Sequence, residues 1–231
     1  MITIKEATKI YEVGNEKVCA LDNVNLRIQK GEFLAVMGPS GSGKSTLLYT
    51  LGGLLTPTKG TVSVNGVSVY ELTSRERARF VRENVGFIFQ GFELLPYLTA
   101  FENVMLPLYL AGRSSIQQQE AAREALEKVG LTKRASHKPT ELSGGEQQRV
   151  AIARGIVNNP SILLADEPTG NLDQKTGNEI MQLLCKLYRE NNLTLILVTH
   201  DPTKAGHAAR LTNMVDGHVV STPMVEETEV D

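Results

Sequence analysis

The sequence predicts an α/β fold around a buried parallel sheet, and three observations predict it. Short, nearly continuous apolar runs recur at Phe33 to Met37, 85–89, 161–165 and 194–198, the pattern of strands covered on both faces. Stretches with helical spacing lie between them, at 44–52, 146–158 and 177–190; in the last, Ile180, Leu183, Leu184 and Leu187 share one face. A glycine-rich loop, GPSGSGKST at 38–46, joins the first apolar run to the first helix. Strand runs alternating with helices give a parallel sheet with helical cover.

The remaining elements follow in order. Ile2 and Ile4, then Val24, Leu26 and Ile28, alternate with polar residues as half-buried antiparallel strands do, so a small β layer comes first. The character changes between 89 and 161. There Ser115 and Gln118 read as a capping box, Ala121, Ala122, Ala125, Leu126 and Val129 share a face, and Gly130 ends the helix. This reads as a helical insertion. The last six residues, EETEVD, read as a loose, solvated acidic end.

Composition narrows the classes of function. At 231 residues the chain is long enough to bury a substantial core as one large domain. Its 41% hydrophobic and 22% charged residues exclude disordered, collagenous and coiled-coil readings. A net charge of −2 offers no general basic field, so no nucleic-acid partner is expected. Two cysteines, Cys19 and Cys185, are too few for a zinc site or a disulfide framework and read as small apolar fillers in a reducing compartment. No run reaches the roughly 18 apolar residues a membrane span needs, and MITIKEATKIYEVG has no secretory hydrophobic region. A cytosolic chain, held elsewhere only by a partner, is expected.

Several residues carry chemistry. Gly38, Gly43, Lys44 and Ser45 satisfy the phosphate-loop pattern: backbone amides cradle phosphates, lysine reaches the outer groups and serine binds magnesium. The helix that follows adds the positive end of its dipole. Two adjacent carboxylates, Asp166 and Glu167, end the run ILLADE, and successive strand side chains face opposite ways. Asp166 suits the magnesium shell, and Glu167 suits the polarisation of an attacking water. Gln90 and His200 close two other apolar runs. Each alone reads as an ordinary polar terminus, yet all of these groups fall beyond the carboxyl ends of strands, where open α/β sheets bind ligands. LSGGEQQ, 142–148, is either a capped helix start with a hinge or a second anion site.

Five separated motifs in order, GPSGSGKST, Gln90, LSGGEQQ, ILLADE and His200, with Asn171-Leu-Asp173 after the acids, closely resemble the nucleotide-binding subunits of ABC transporters over nearly the whole chain. The segments 89–104 and 166–173 look most like the lipoprotein-release, macrolide-export and antimicrobial-peptide-export group. The resemblance implies a phosphate-loop NTPase of the ABC ATPase fold, with a RecA-like core, an N-terminal antiparallel β layer and a helical subdomain. A single ABC ATPase domain over 1–231 is expected, with core and β layer at 1–90 and 161–231 and the insertion at about 91–160.

By that resemblance the ligands are ATP and Mg2+. Tyr11 stacks on adenine, while Gly38, Ser40, Gly41, Ser42, Gly43, Lys44, Ser45 and Thr46 hold the phosphates. Ser45, Gln90 and Asp166 serve the metal, and Gln90 also couples the nucleotide to the helical insertion. Glu167, His200 and Gln90 form the catalytic set. Ser143, Gly144, Gly145 and Glu146 of one copy clamp the γ-phosphate held by another, so a head-to-tail pair makes two composite sites. The implied partners are a second copy of the chain and an integral membrane permease, placing the protein at the inner face of the cell membrane. Other roles open to the family are a regulatory or cell-division ATPase and a soluble ATPase acting without transport.

Overall fold

The computed structural model describes residues 1–221, and the acidic end at 226–231 lies outside the described residues. In chain order the first strands are β1 (Ile2–Val13), β2 (Glu16–Ile28), β3 (Phe33–Met37), β4 (Lys59–Val64) and β5 (Val67–Ser68). They are followed by β6 (Val85–Ile88), β7 (Ile162–Asp166), β8 (Thr194–Val198), β9 (Arg210–Val215) and β10 (His218–Ser221). The helices are α1 (Lys44–Leu51), α2 (Ser74–Asn84), α3 (Ala100–Leu110), α4 (Ser115–Lys128), α5 (Gly144–Ile156), α6 (Gln174–Asn191) and the short α7 (Pro202–Ala205).

Two sheets result. The first is antiparallel in the order β2-β1-β4-β5, with Ile2 opposite Ile28 and Ile4 opposite Leu26. The second runs β10-β9-β3-β8-β7-β6, and its four buried runs are parallel to one another. β9 adds in parallel to β3, and β10 turns back on β9.

Side-chain alternation divides the core in two. Phe33, Ile88, Leu163, Ala165, Leu195 and Leu197 point to one face of the large sheet and pack with α3 to α6. Leu34, Val36, Ile162, Leu164, Ile196 and Val198 point to the other, against α1 and the antiparallel sheet. Each fully buried Leu or Ile contributes roughly 1.5–3 kcal/mol, so both layers are held firmly to the sheet between them. The parity has a consequence for chemistry. Asp166 follows Ile162 and Leu164 on the α1 side, so the strand delivers its carboxylate to the helix behind the glycine loop.

Three details depart from expectation. The α4 capping box uses Ser114 and Gln117, one residue earlier than Ser115 and Gln118, and Gln118 instead is buried and donates to the Arg113 carbonyl at 2.6 Å. Cys185 is buried as a filler, but Cys19 is exposed. The helix α2, which has no buried residue, forms around a Thr73–Glu76 capping box.

Candidate functional site

The glycine loop is shaped by close backbone contact. A Cβ on Gly38 would lie 2.1 Å from the Met214 carbonyl oxygen, and one on Gly43, at φ 98°, 2.2 Å from that of Ala20. Only glycine fits at either place. The loop is thereby seated on β2 and β9. Lys44 is buried and donates Nζ to the Pro39 carbonyl at 2.7 Å, closing the loop on itself. Among the described residues Ser42 Oγ is buried without a hydrogen-bond partner, and no side chain caps α1. An unmet hydroxyl beside first-turn amides is what an incoming phosphate satisfies.

Behind the loop, Ser45 Oγ donates to Asp166 Oδ1 at 3.1 Å and Tyr49 OH donates to Oδ2 at 2.7 Å. A hydroxyl and a carboxylate are hard oxygen ligands of the kind magnesium takes, with substrate phosphates and water completing its shell. The donor set fits the ion. Among the described residues no cluster of three or more His, Cys, Asp or Glu forms a metal cage. Burial, reinforced by Asp166, raises the Tyr49 phenol well above its ordinary value, so it stays a proton donor.

Glu167 turns the other way. Its amide still bonds the Val198 carbonyl at 3.0 Å, but its backbone sits in the left-handed region at φ 43°, uncommon for a residue with a side chain. That turn brings Glu167 Oε2 to 2.7 Å from His200 Nδ1, beyond the end of β8. The imidazole is 66% exposed, open to a ligand arriving from solvent. Gln90 joins this group through its loop. Its side-chain nitrogen would be 2.8 Å from a Cβ on Gly170, and its backbone carbonyl accepts from Asn171 Nδ2 at 2.9 Å. The glutamine amide therefore lies against the loop after Glu167 and makes no hydrogen bond to Ser45 or Asp166 among the described residues.

Other candidates stand apart. Ser40, Gly41 and Thr46 lie in the glycine loop and the first turn of α1, with Ser40 and Gly41 exposed. Tyr11 is exposed on β1, paired with Val18, two residues along β2 from the Ala20 that abuts Gly43. Ser143 caps α5: it donates its amide and hydroxyl to Glu146 Oε2, each at 2.9 Å, and its oxygen accepts from the Glu146 amide at 3.3 Å. Arg134 adds a 3.0 Å ion pair to that carboxylate. The Ser143 amide and hydroxyl, with Arg134, hold the Glu146 carboxyl below its usual range. Gly144 and Gly145 lie close to Leu172 and Thr176, so this helix start neighbours the loop after Glu167. No hydrogen bond joins it to the glycine loop among the described residues.

Residues 21–170 match the family described as ABC transporter. The chain belongs to that ABC transporter family. Over 95% of both chains the ABC protein is 49% identical to the uncharacterized ATP-binding protein MJ0796 of Methanocaldococcus jannaschii. It is 47% identical to the lipoprotein-releasing ATP-binding protein LolD of Geobacter metallireducens, over 96% of this chain and 98% of that one. A dimeric MJ0796 solved in a post-hydrolysis state with ADP and Pi superposes with a TM-score of 0.88 at 48% identity, covering 95% and 96% of the two chains. The ABC chain is thus an ATP-binding, ATP-hydrolysing subunit.

Two contributors to the ABC site were not singled out from sequence. Tyr49 lies one turn beyond Ser45 on α1, a spacing that puts both on one face. Arg154, eight residues past Glu146 on α5, donates Nη2 to the Phe92 carbonyl at 2.8 Å and Nη1 to that of Glu93. Both acceptors have left-handed backbones, at φ 62° and 51°, so the guanidinium pins the strained loop that follows Gln90.

Proposed function

We propose that this protein is the motor of a two-component membrane system of the lipoprotein-release and macrolide-export kind, closing as a head-to-tail dimer on ATP and opening after hydrolysis. The observation that carries the reading is the split at the end of β7, where Asp166 faces the phosphate-loop helix and Glu167 faces His200. The two carboxylates do different work. Ser45 and Asp166 would hold magnesium, which when bound would supply charge neutralisation at the phosphates. Glu167 aligns a water and accepts its proton as the oxygen attacks the γ-phosphorus; the bond to the bridging oxygen breaks, and ADP leaves with the electron pair. His200 orients the Glu167 carboxylate and reaches the γ-phosphate from its exposed edge. Lys44 and the amides of the glycine loop hold the β and γ groups in line.

Ser143, Gly144 and Gly145 complete the site of a second copy, which gives the chain two faces and the dimer two sites. Among the described residues no helix is long and apolar enough to cross a membrane. In this reading the work is done on an integral membrane permease at the inner face. We place the permease contact at a groove of about 660 Å3 between the core and the helical insertion, lined by Leu54, Phe87, Phe89, Leu106, Leu110 and Arg154. Its apolar lining includes Leu110, which is 67% exposed. Gln90 and the Arg154-pinned loop run from the nucleotide to that groove.

Glu167→Gln tests the reading. ATP turnover falls roughly 10²–10⁴-fold while ATP is retained and a closed dimer accumulates on size exclusion. Tagged Glu167→Gln, recovered from detergent-solubilised native membranes with ATP present, brings down a permease with a large extracytoplasmic domain, identified by mass spectrometry. Recovery of ribosomal, DNA-bound or purely soluble partners overturns the membrane reading. A monomeric, fully active variant overturns the role of Glu167.

A further inference from the structure

The Asp166 carboxylate is gripped twice by one helix. Ser45 Oγ holds Oδ1 and Tyr49 OH holds Oδ2, at 3.1 and 2.7 Å, from positions one turn apart on α1. Ser45 belongs to the phosphate loop; Tyr49 does not. The terminal torsion of an aspartate is broad, so a carboxylate held by a single partner swings. Two bonds from one face stop that swing and make the two oxygens unequal. Asp166 is 6% exposed, so water cannot replace the phenol freely.

The phenol is itself fixed. The Tyr49 ring meets Phe89 at 6.2 Å, tilted by 53°, and Phe89 stacks on Phe87 at 5.7 Å, nearly parallel. Strand parity explains why the rings meet: Phe87 and Phe89 project from β6 and its exit toward the α1 side of the sheet, the side that also carries Asp166. Tyr49 therefore sits between the carboxylate and the aromatic pair that precedes Gln90.

We propose that Tyr49 is a positioning residue for magnesium: by holding Oδ2 of Asp166 it presents Oδ1, beside Ser45 Oγ, to the metal. This rests on the assignment of Ser45 and Asp166 as the protein's magnesium ligands. Groups that orient a ligating carboxylate affect metal affinity by about 10- to 100-fold although they never touch the ion.

Tyr49→Phe removes the hydroxyl and keeps the ring against Phe89. Protein carrying one equivalent of a non-hydrolysable ATP analogue is titrated with Mn2+, and the free ion is counted by its EPR signal, beside wild type and Asp166→Asn. The expected result is Mn2+ binding about tenfold weaker in Tyr49→Phe, an altered bound-ion spectrum, and unchanged affinity for the analogue in EDTA. If Asp166→Asn loses the ion while Tyr49→Phe binds it as wild type does, the role of Tyr49 is overturned and the metal assignment stands. If Asp166→Asn binds Mn2+ as wild type does, the metal assignment falls, and the inference with it. Equal losses of analogue affinity with and without metal also overturn the proposal, because they mark Tyr49 as a support of the glycine loop.

Discussion

The helices α1 and α5 both open on glycine and serine, yet they treat their N-termini in opposite ways. α1 starts from Gly43 in the left-handed region, with no side-chain cap and no acid in its first turn. Its orphan amides and dipole are left for a ligand, and Lys44 adds a full charge. α5 starts from Ser143 in a complete capping box, with Glu146 in the first turn and Arg134 bonded to that carboxylate. The Ser143 hydroxyl and the Ser143 and Glu146 amides are already engaged. From this difference we propose an order of events: α1 binds phosphate by itself, whereas α5 exchanges part of its cap for phosphate only when a second copy brings one close.

The largest effect is expected where the open helix start is broken. Lys44→Ala removes charge-assisted hydrogen bonds that contribute about 1.5–3 kcal/mol, so ATP affinity by calorimetry falls roughly 10- to 150-fold. The same calorimetry on Ser143→Ala shows monomer affinity unchanged if the two helix starts act in that order. An affinity within twofold of wild type for Lys44→Ala contradicts the phosphate-loop role and removes one side of the comparison.

How far each region could be read from sequence follows the same division. The central strands β3, β6, β7 and β8 were legible because burial on both faces leaves continuous apolar runs, and the glycine loop because its φ values and contacts admit few residues. α2 was not, since SRERARFVREN buries no residue fully and offers only Ala78, Phe80 and Val81 as apolar positions among charged ones; its clearest signal was the Thr73–Glu76 spacing. The α4 start was misplaced by one residue because SSIQQQ offers two equivalent serine–glutamine registers, and only burial of Gln118 decides between them. Of the chemistry, motif spacing named Asp166, Glu167 and His200. It could not say that Glu167 departs from strand geometry to reach His200, nor that Glu146 is spent on its own helix. Those depend on backbone angles and partners distant in sequence. Tyr49 was within reach from its i, i+4 relation to Ser45.

A smaller effect tests the closed helix start. Ser143→Ala deletes the cap, costing about 1 kcal/mol of stability and lowering Tm. In a Glu167→Gln background it also weakens ATP-driven dimerisation by sedimentation, roughly tenfold if two hydrogen bonds to a charged phosphate oxygen are reduced to one. A large loss of monomer ATP affinity with intact dimerisation would reverse the roles of the two helix starts.

The smallest effect separates charge from capping. Glu146→Gln keeps the hydrogen-bonding pattern of the box, since glutamine also serves at that position, but removes a negative charge from the place where a partner's γ-phosphate is to be received. It also releases Arg134, whose partly exposed ion pair with Glu146 contributes little. If the engaged carboxylate is what delays α5, the ATP-bound dimer should tighten about two- to fivefold, the range set by one charge at a helix N-terminus. The gain should shrink with added salt, because the charges involved are near solvent. A weaker dimer would mean that the carboxylate's grip on Ser143 matters more than its repulsion of phosphate, and that α5 receives its ligand with the cap intact.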